Sequence, residues 1–118
     1  MSQNIQPGDF LVFQLEAGFA LLRVLAVDGG PDRVWHVAAY RDLFQDVETA
    51  ETASADPAGL EISHPHIALT NRAFESTQVA RISHTALSES ESATLDQWRR
   101  NPGREVSDRS VRLMLGLR

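Results

Sequence analysis

Residues 9–41, DFLVFQLEAGFALLRVLAVDGGPDRVWHVAAYR, decide the fold. Asp9 to Leu15 is a short run rich in aromatic and β-branched residues, introduced by the turn pair Pro7-Gly8. Glu16-Ala17-Gly18 makes the first turn, where Gly18 is free to take the positive φ a tight hairpin needs. Phe19 to Val27 is apolar on both alternating faces except at Arg23, as a strand at the centre of a curled sheet or small barrel would be. Asp28-Gly29-Gly30-Pro31-Asp32 is a second turn, and Arg33 to Arg41 a third strand with Trp35, Val37 and Ala39 on one side and His36, Ala38 and Tyr40 on the other. Two short connections make these strands an antiparallel meander.

Beyond the meander the pattern changes. Glu48 to Gly59 has no large apolar side chain and carries Glu48, Glu51 and Asp56 shortly after Asp46, so the sequence predicts a mobile acidic loop over 48–59. Ile67–Leu69 with its flanks and Gln78–Ile82 are further strand candidates. Ser88 and Glu91 form a capping box for a helix over 89–100, with Glu89 and Glu91 at its positive end and Arg99 and Arg100 at its negative end. Leu95 and Trp98 supply its inward stripe, and Asn101-Pro102-Gly103 stops it. Residues 107–117 fit either a strand or a helix capped by Ser107 or Asp108; the helix is preferred. The fold class expected is α+β: a curled antiparallel sheet or small SH3-like β-barrel followed by a C-terminal helical segment, all in one domain over 1–118.

Composition removes whole classes of chemistry. With 118 residues and no cysteine, there is no disulfide scaffold, thiolate metal site or cysteine nucleophile. All 11 basic residues are arginine, so Schiff-base lysines, Ser–Lys dyads and Walker-type phosphate loops are closed as well. No apolar run approaches the ~18 residues of a membrane span, and the start, MSQNIQPGDF, lacks the basic-then-apolar order of a signal peptide; a cytoplasmic protein with no membrane partner is expected. The net charge of −5 argues against a dedicated nucleic-acid binder, because phosphate contacts drive that affinity. The charge is also unevenly placed. Six arginines against two acids give the last twenty residues about +4, while five arginines against fourteen acids give the first 98 about −9.

Few residues arrange themselves for chemistry. His64-Pro65-His66 is the one metal-like spacing, since residues i and i+2 of an extended segment share a face; Glu61 or the distant His84 would have to complete the site. The competing view makes these histidines rim groups at a strand entrance. His36, mid-strand between Trp35 and Val37, reads as a hydrogen-bonded core histidine before it reads as catalytic. Arg23 in an otherwise apolar strand demands a carboxylate, with Asp9, Glu16 and Asp42 as candidates. Arg109 and Arg112, three apart, would share a helical face and form a patch for an acidic partner or nucleic acid. No serine sits in a nucleophile elbow, and no catalytic residue and no cofactor is expected.

From Pro7 through Phe44 the chain resembles small bacterial SH3-like-barrel proteins, and in particular the immunity proteins of polymorphic toxin systems. The elements that carry the resemblance are Gly8-Asp9, the strand Leu11–Leu15, the turn at Gly18 and the pair Arg23-Val24. The resemblance covers roughly a third of the chain and is a fold-level analogy. It implies a non-enzymatic bacterial protein that binds and blocks a toxin, often a nuclease. The acidic first 98 residues would suit the masking of a basic active site, with Asp46, Glu48, Glu51 and Asp56 as contact residues. Two alternatives stand beside this one: a nucleic-acid-associated protein using the C-terminal arginines, and a small metal-dependent enzyme at His64 and His66.

Overall fold

In the computed structural model, which describes residues 5–29 and 32–111, the meander forms as its pattern dictates. Strands β1 (Asp9–Leu15), β2 (Gly18–Asp28) and β3 (Val34–Phe44) run antiparallel, with Leu15 opposite Gly18 across the first turn. Gly18 holds φ +147°, and a side chain there would meet the Phe44 carbonyl oxygen at 2.6 Å, so glycine is required twice over. β4 (Ile62–Thr70) pairs with β3, and β5 (Ala80–His84) returns to pair with β1, giving the order β4-β3-β2-β1-β5. The sheet does not close into a barrel, because β4 and β5 remain at opposite edges. Register shifts interrupt every ladder except β1–β2, and each such bulge bends the strand and increases its twist.

Both faces of the sheet are buried, which explains why β1 and β2 carry apolar residues on both alternations. On one face Leu11, Phe13, Leu22, Val24, Val37 and Leu69 pack with Phe74 of the short helix α2 (Asn71–Glu75) and with Val111. Trp35 stacks on Phe74 at 3.9 Å between ring centroids, and its indole N–H donates to Asn71 Oδ1. On the other face Phe10, Val12, Leu21 and Tyr40 pack against Ala50 of α1 (Val47–Ser54). Farther along, α3 (Glu89–Arg100) lies over Arg23 and His36, with Leu95 as its buried apolar residue.

The helix α3 has the predicted bounds, and both halves of its capping box form. The stretch 48–59 departs from expectation. It is not irregular: α1 is followed by a single 3-10 turn over Pro57–Gly59. Asp46 caps α1 by accepting from Thr49 N and Thr49 Oγ1, and Ala50 and Ser54 are its buried residues. Small side chains therefore dock this helix closely, where the sequence reading looked for large ones. Of the ambiguous C-terminal stretch, Ser107 is not a helix cap but forms a parallel bridge to Leu69, which extends the β4 edge; residues 112–117 of that reading lie outside the described residues. Asp108 ties this segment down by accepting from Thr70 and pairing with Arg72.

Candidate functional site

Two buried polar centres sit beneath α3, about two turns apart along it. The first is built on Arg23. Its Nε donates to Glu91 Oε2 at 2.9 Å and its Nη2 to Glu91 Oε1 at 3.3 Å, while Ala86, Thr85 and the Gly8 carbonyl take the remaining N–H groups. The guanidinium also lies 4.4 Å from the centre of the Phe10 ring. Five donors thus meet five acceptors, so the buried charge is fully matched. The partner is Glu91, none of the three acids proposed from sequence. Asp9 instead accepts from Gln6 N, His84 Nδ1 and Arg81 Nε; burial would raise its carboxyl, yet these contacts outweigh burial and hold it below its ordinary range. The residues that carried the family resemblance, Gly8, Asp9, Gly18 and Arg23, all have structural work. Gly8 takes φ +96°, and a side chain there would meet the Thr85 carbonyl oxygen at 2.6 Å.

The second centre is a chain of three side chains. His36, fully buried, places Nε2 at 2.9 Å from Asp28 Oδ2 and Nδ1 at 2.9 Å from His66 Nε2. Arg99 of α3 engages the other carboxylate oxygen of Asp28 at 2.8 Å. Trp98 roofs the pair, its ring 4.8 Å from that of His36 and 5.3 Å from that of His66, and donates its own N–H to the Glu105 carbonyl. Burial opposes ionisation of Asp28, but the His36 hydrogen bond, the His36 charge and Arg99 together keep its carboxyl below the ordinary range. Burial, His36 and Arg99 all act against a charge on His66, whose pKa falls from 6.5 to about 4. His66 also lines a shallow surface cleft with Ile67, Ala68, Trp98, Glu105 and Ser107.

This arrangement differs from the metal pair that the His64-Pro65-His66 spacing offered as an alternative. The β3–β4 ladder shifts register between Val37↔Ile67 and Ala39↔His64, so the two histidines are not a same-face pair. His64 Nδ1 bonds Ser63 Oγ, Glu61 pairs with Arg41, and His84 belongs to Asp9. Among the described residues no three His, Asp or Glu side chains are grouped to hold a metal ion. The link from His36 to His66 escaped sequence reading. The signal was present in two histidines each on a strand, but their contact needs the register of a pairing that sequence does not print.

The remaining candidates are scattered. Asp46 is engaged by the α1 cap, whereas Glu48, Glu51 and Asp56 are exposed and make no ion pair among the described residues. Arg109 is exposed, with its backbone N–H donating to Ser107 Oγ, and Arg112 lies outside the described residues. Arg99 is taken by Asp28, and Arg104 lies near the Trp98 ring. No helix among the described residues is long and apolar enough to cross a membrane. In comparisons with known proteins, no family model, no curated protein and no solved structure matches this chain.

Proposed function

We propose that this chain is a protein-binding module of SH3-like build that takes a basic protein partner, with a toxin that it neutralises as the specific form the partial resemblance favours. The strand order, in which β5 returns to β1 after a helical turn, supports the SH3-like reading. The observation that carries the binding reading is the set of exposed acidic and apolar residues around one end of the sheet. Of the four exposed large hydrophobic residues among those described, Leu43, Val47 and Ile62 belong to the end of β3, the start of α1 and the start of β4. The same stretch of chain carries Glu48 and Glu51 on α1, followed by Asp56, all exposed. Acids with no ion pair among the described residues, together with apolar side chains left in water, suit a partner with basic and apolar groups. Charge complementarity of this kind acts mainly on the association rate.

The test begins with capture of a partner from a lysate of the source organism, with and without nuclease treatment. A single basic protein retained after nuclease treatment is then purified, and its association rate is measured against Glu48→Gln, Glu51→Gln, Asp56→Asn in one variant. Association slowed about tenfold at low salt, with the gap narrowing as salt rises, is the expected result. Equal rates for variant and parent remove this surface from the reading. Retention that vanishes with nuclease moves the function to nucleic acid and to the C-terminal arginines.

A further inference from the structure

The second polar centre has a property that the binding surface does not use. Asp28, ionised, only accepts hydrogen bonds, so His36 Nε2 must carry a proton in every state of the chain. What His36 Nδ1 does then fixes His66. With no added proton His36 is neutral, its Nδ1 is bare, and His66 Nε2–H donates to it across the 2.9 Å contact. A neutral imidazole has a single N–H, so His66 Nδ1 is left as a bare lone pair. That atom has no hydrogen-bond partner among the described residues. His66 is only partly buried, and it lines the surface cleft beside Trp98.

We propose that Asp28, His36 and His66 form a two-bond proton relay that makes His66 Nδ1 an acid–base site, accepting a hydrogen bond when the relay is empty and donating one when it is loaded. Loading is balanced in atoms and charge. One proton binds His66 Nδ1, and the proton on His66 Nε2 crosses to His36 Nδ1. The result is a His36 imidazolium against the Asp28 carboxylate and a neutral His66 that now carries Nδ1–H. The added charge settles on His36 because only His36 touches a carboxylate, whose other oxygen is held by Arg99. The charged groups around the relay are Asp28 from β2, Arg99 from α3, and Arg104 and Glu105 from the segment after it. A second proton has to charge His66 itself, beside an imidazolium and Arg99, and enters only in acid. Trp98, Ile67 and Ala68 give the cleft an apolar wall, and the Trp98 N–H is already spent on Glu105. The ligand that fits is a neutral molecule with a planar or apolar body and a hydroxyl, a group able to meet either state of His66.

Imidazole nitrogen NMR on the full ¹⁵N-labelled chain, titrated from about pH 8 to about pH 4, reads each ring's charge and tautomer directly. His36 is expected to become the imidazolium in the first step. In that same step His66 passes from the Nε2–H to the Nδ1–H tautomer without gaining charge. Asp28→Asn, which removes the charge and keeps the shape, is expected to lower the first midpoint by one unit or more, a tenfold loss of proton affinity, and to uncouple the tautomer change. A His66 that keeps one tautomer throughout, or that becomes a cation in the first step, overturns the relay. So does an Asp28→Asn chain with the parent titration.

Discussion

The two polar centres under α3 use the same helix to opposite ends. At one end of α3, Arg23 meets an acceptor for each of its five donors, and the cluster is closed. At the other, Asp28, His36 and His66 are joined in line, and the last residue of the line is only partly buried and lines a surface cleft. Closure makes a buried charge tolerable and fixes geometry; it leaves nothing to exchange with the surroundings. An open chain holds geometry equally well at its inner end but keeps one titratable nitrogen in play. The difference separates a fastening from a site more clearly than burial does, since Arg23 and His36 are both buried.

The largest expected effect comes from breaking the closed centre. Arg23→Met leaves Glu91 without its cation and should cost about 3–5 kcal/mol in denaturant unfolding. Adding Glu91→Leu should restore much of that loss; if the double variant is as unstable as the single one, the centre is not held by the charge pair.

Acid stability comes next. Burial opposes ionisation of Glu91, but the Arg23 hydrogen bond, with the Ser88 N–H, keeps its carboxyl below the ordinary 4.5. The folded value is the lower one, so this carboxylate stabilises above pH 4.5 and the contribution is lost as pH falls towards the folded value. Glu91→Gln should be less stable at neutral pH and flatter in its acid response, as read by unfolding free energy against pH.

The open centre should respond more weakly. Asp28→Asn weakens a half-exposed carboxylate contact and should cost about 1 kcal/mol, several-fold less in free energy than Arg23→Met. The smallest effect is confined to a pH window. The folded His66 has the lower pKa, about 4 against 6.5, so the unfolded chain binds more protons between those values and stability falls as pH drops through them. His66→Gln should flatten that window and leave stability near pH 8 almost unchanged. A variant that keeps the parent's slope would show that another group supplies it.

Much of the frame was legible beforehand. The meander followed from alternation and turn residues, and α3 from its box and its arginines, because these signals are local. Two readings failed, each for its own cause. Asp46 with Thr49 and the alanines that follow encodes a helix start, but the weight given to large apolar residues hid it. The carboxylate for Arg23 was sought nearby, although Glu91, already committed to Ser88 in the capping box, serves both partners from 68 residues away.

Sequence by itself determined that β2 is apolar on both faces, that Gly18 turns the chain, where α3 begins and ends, and that cysteine and lysine chemistry are absent. Only the tertiary structure decided which polar groups meet. His64 and His66 look paired in the chain, yet a one-residue difference in how β4 matches β3 separates them and gives His66 to His36. The physical reason is that side-chain alternation has period two, so a single bulge reassigns neighbours across a strand pair without altering the local pattern that a sequence displays.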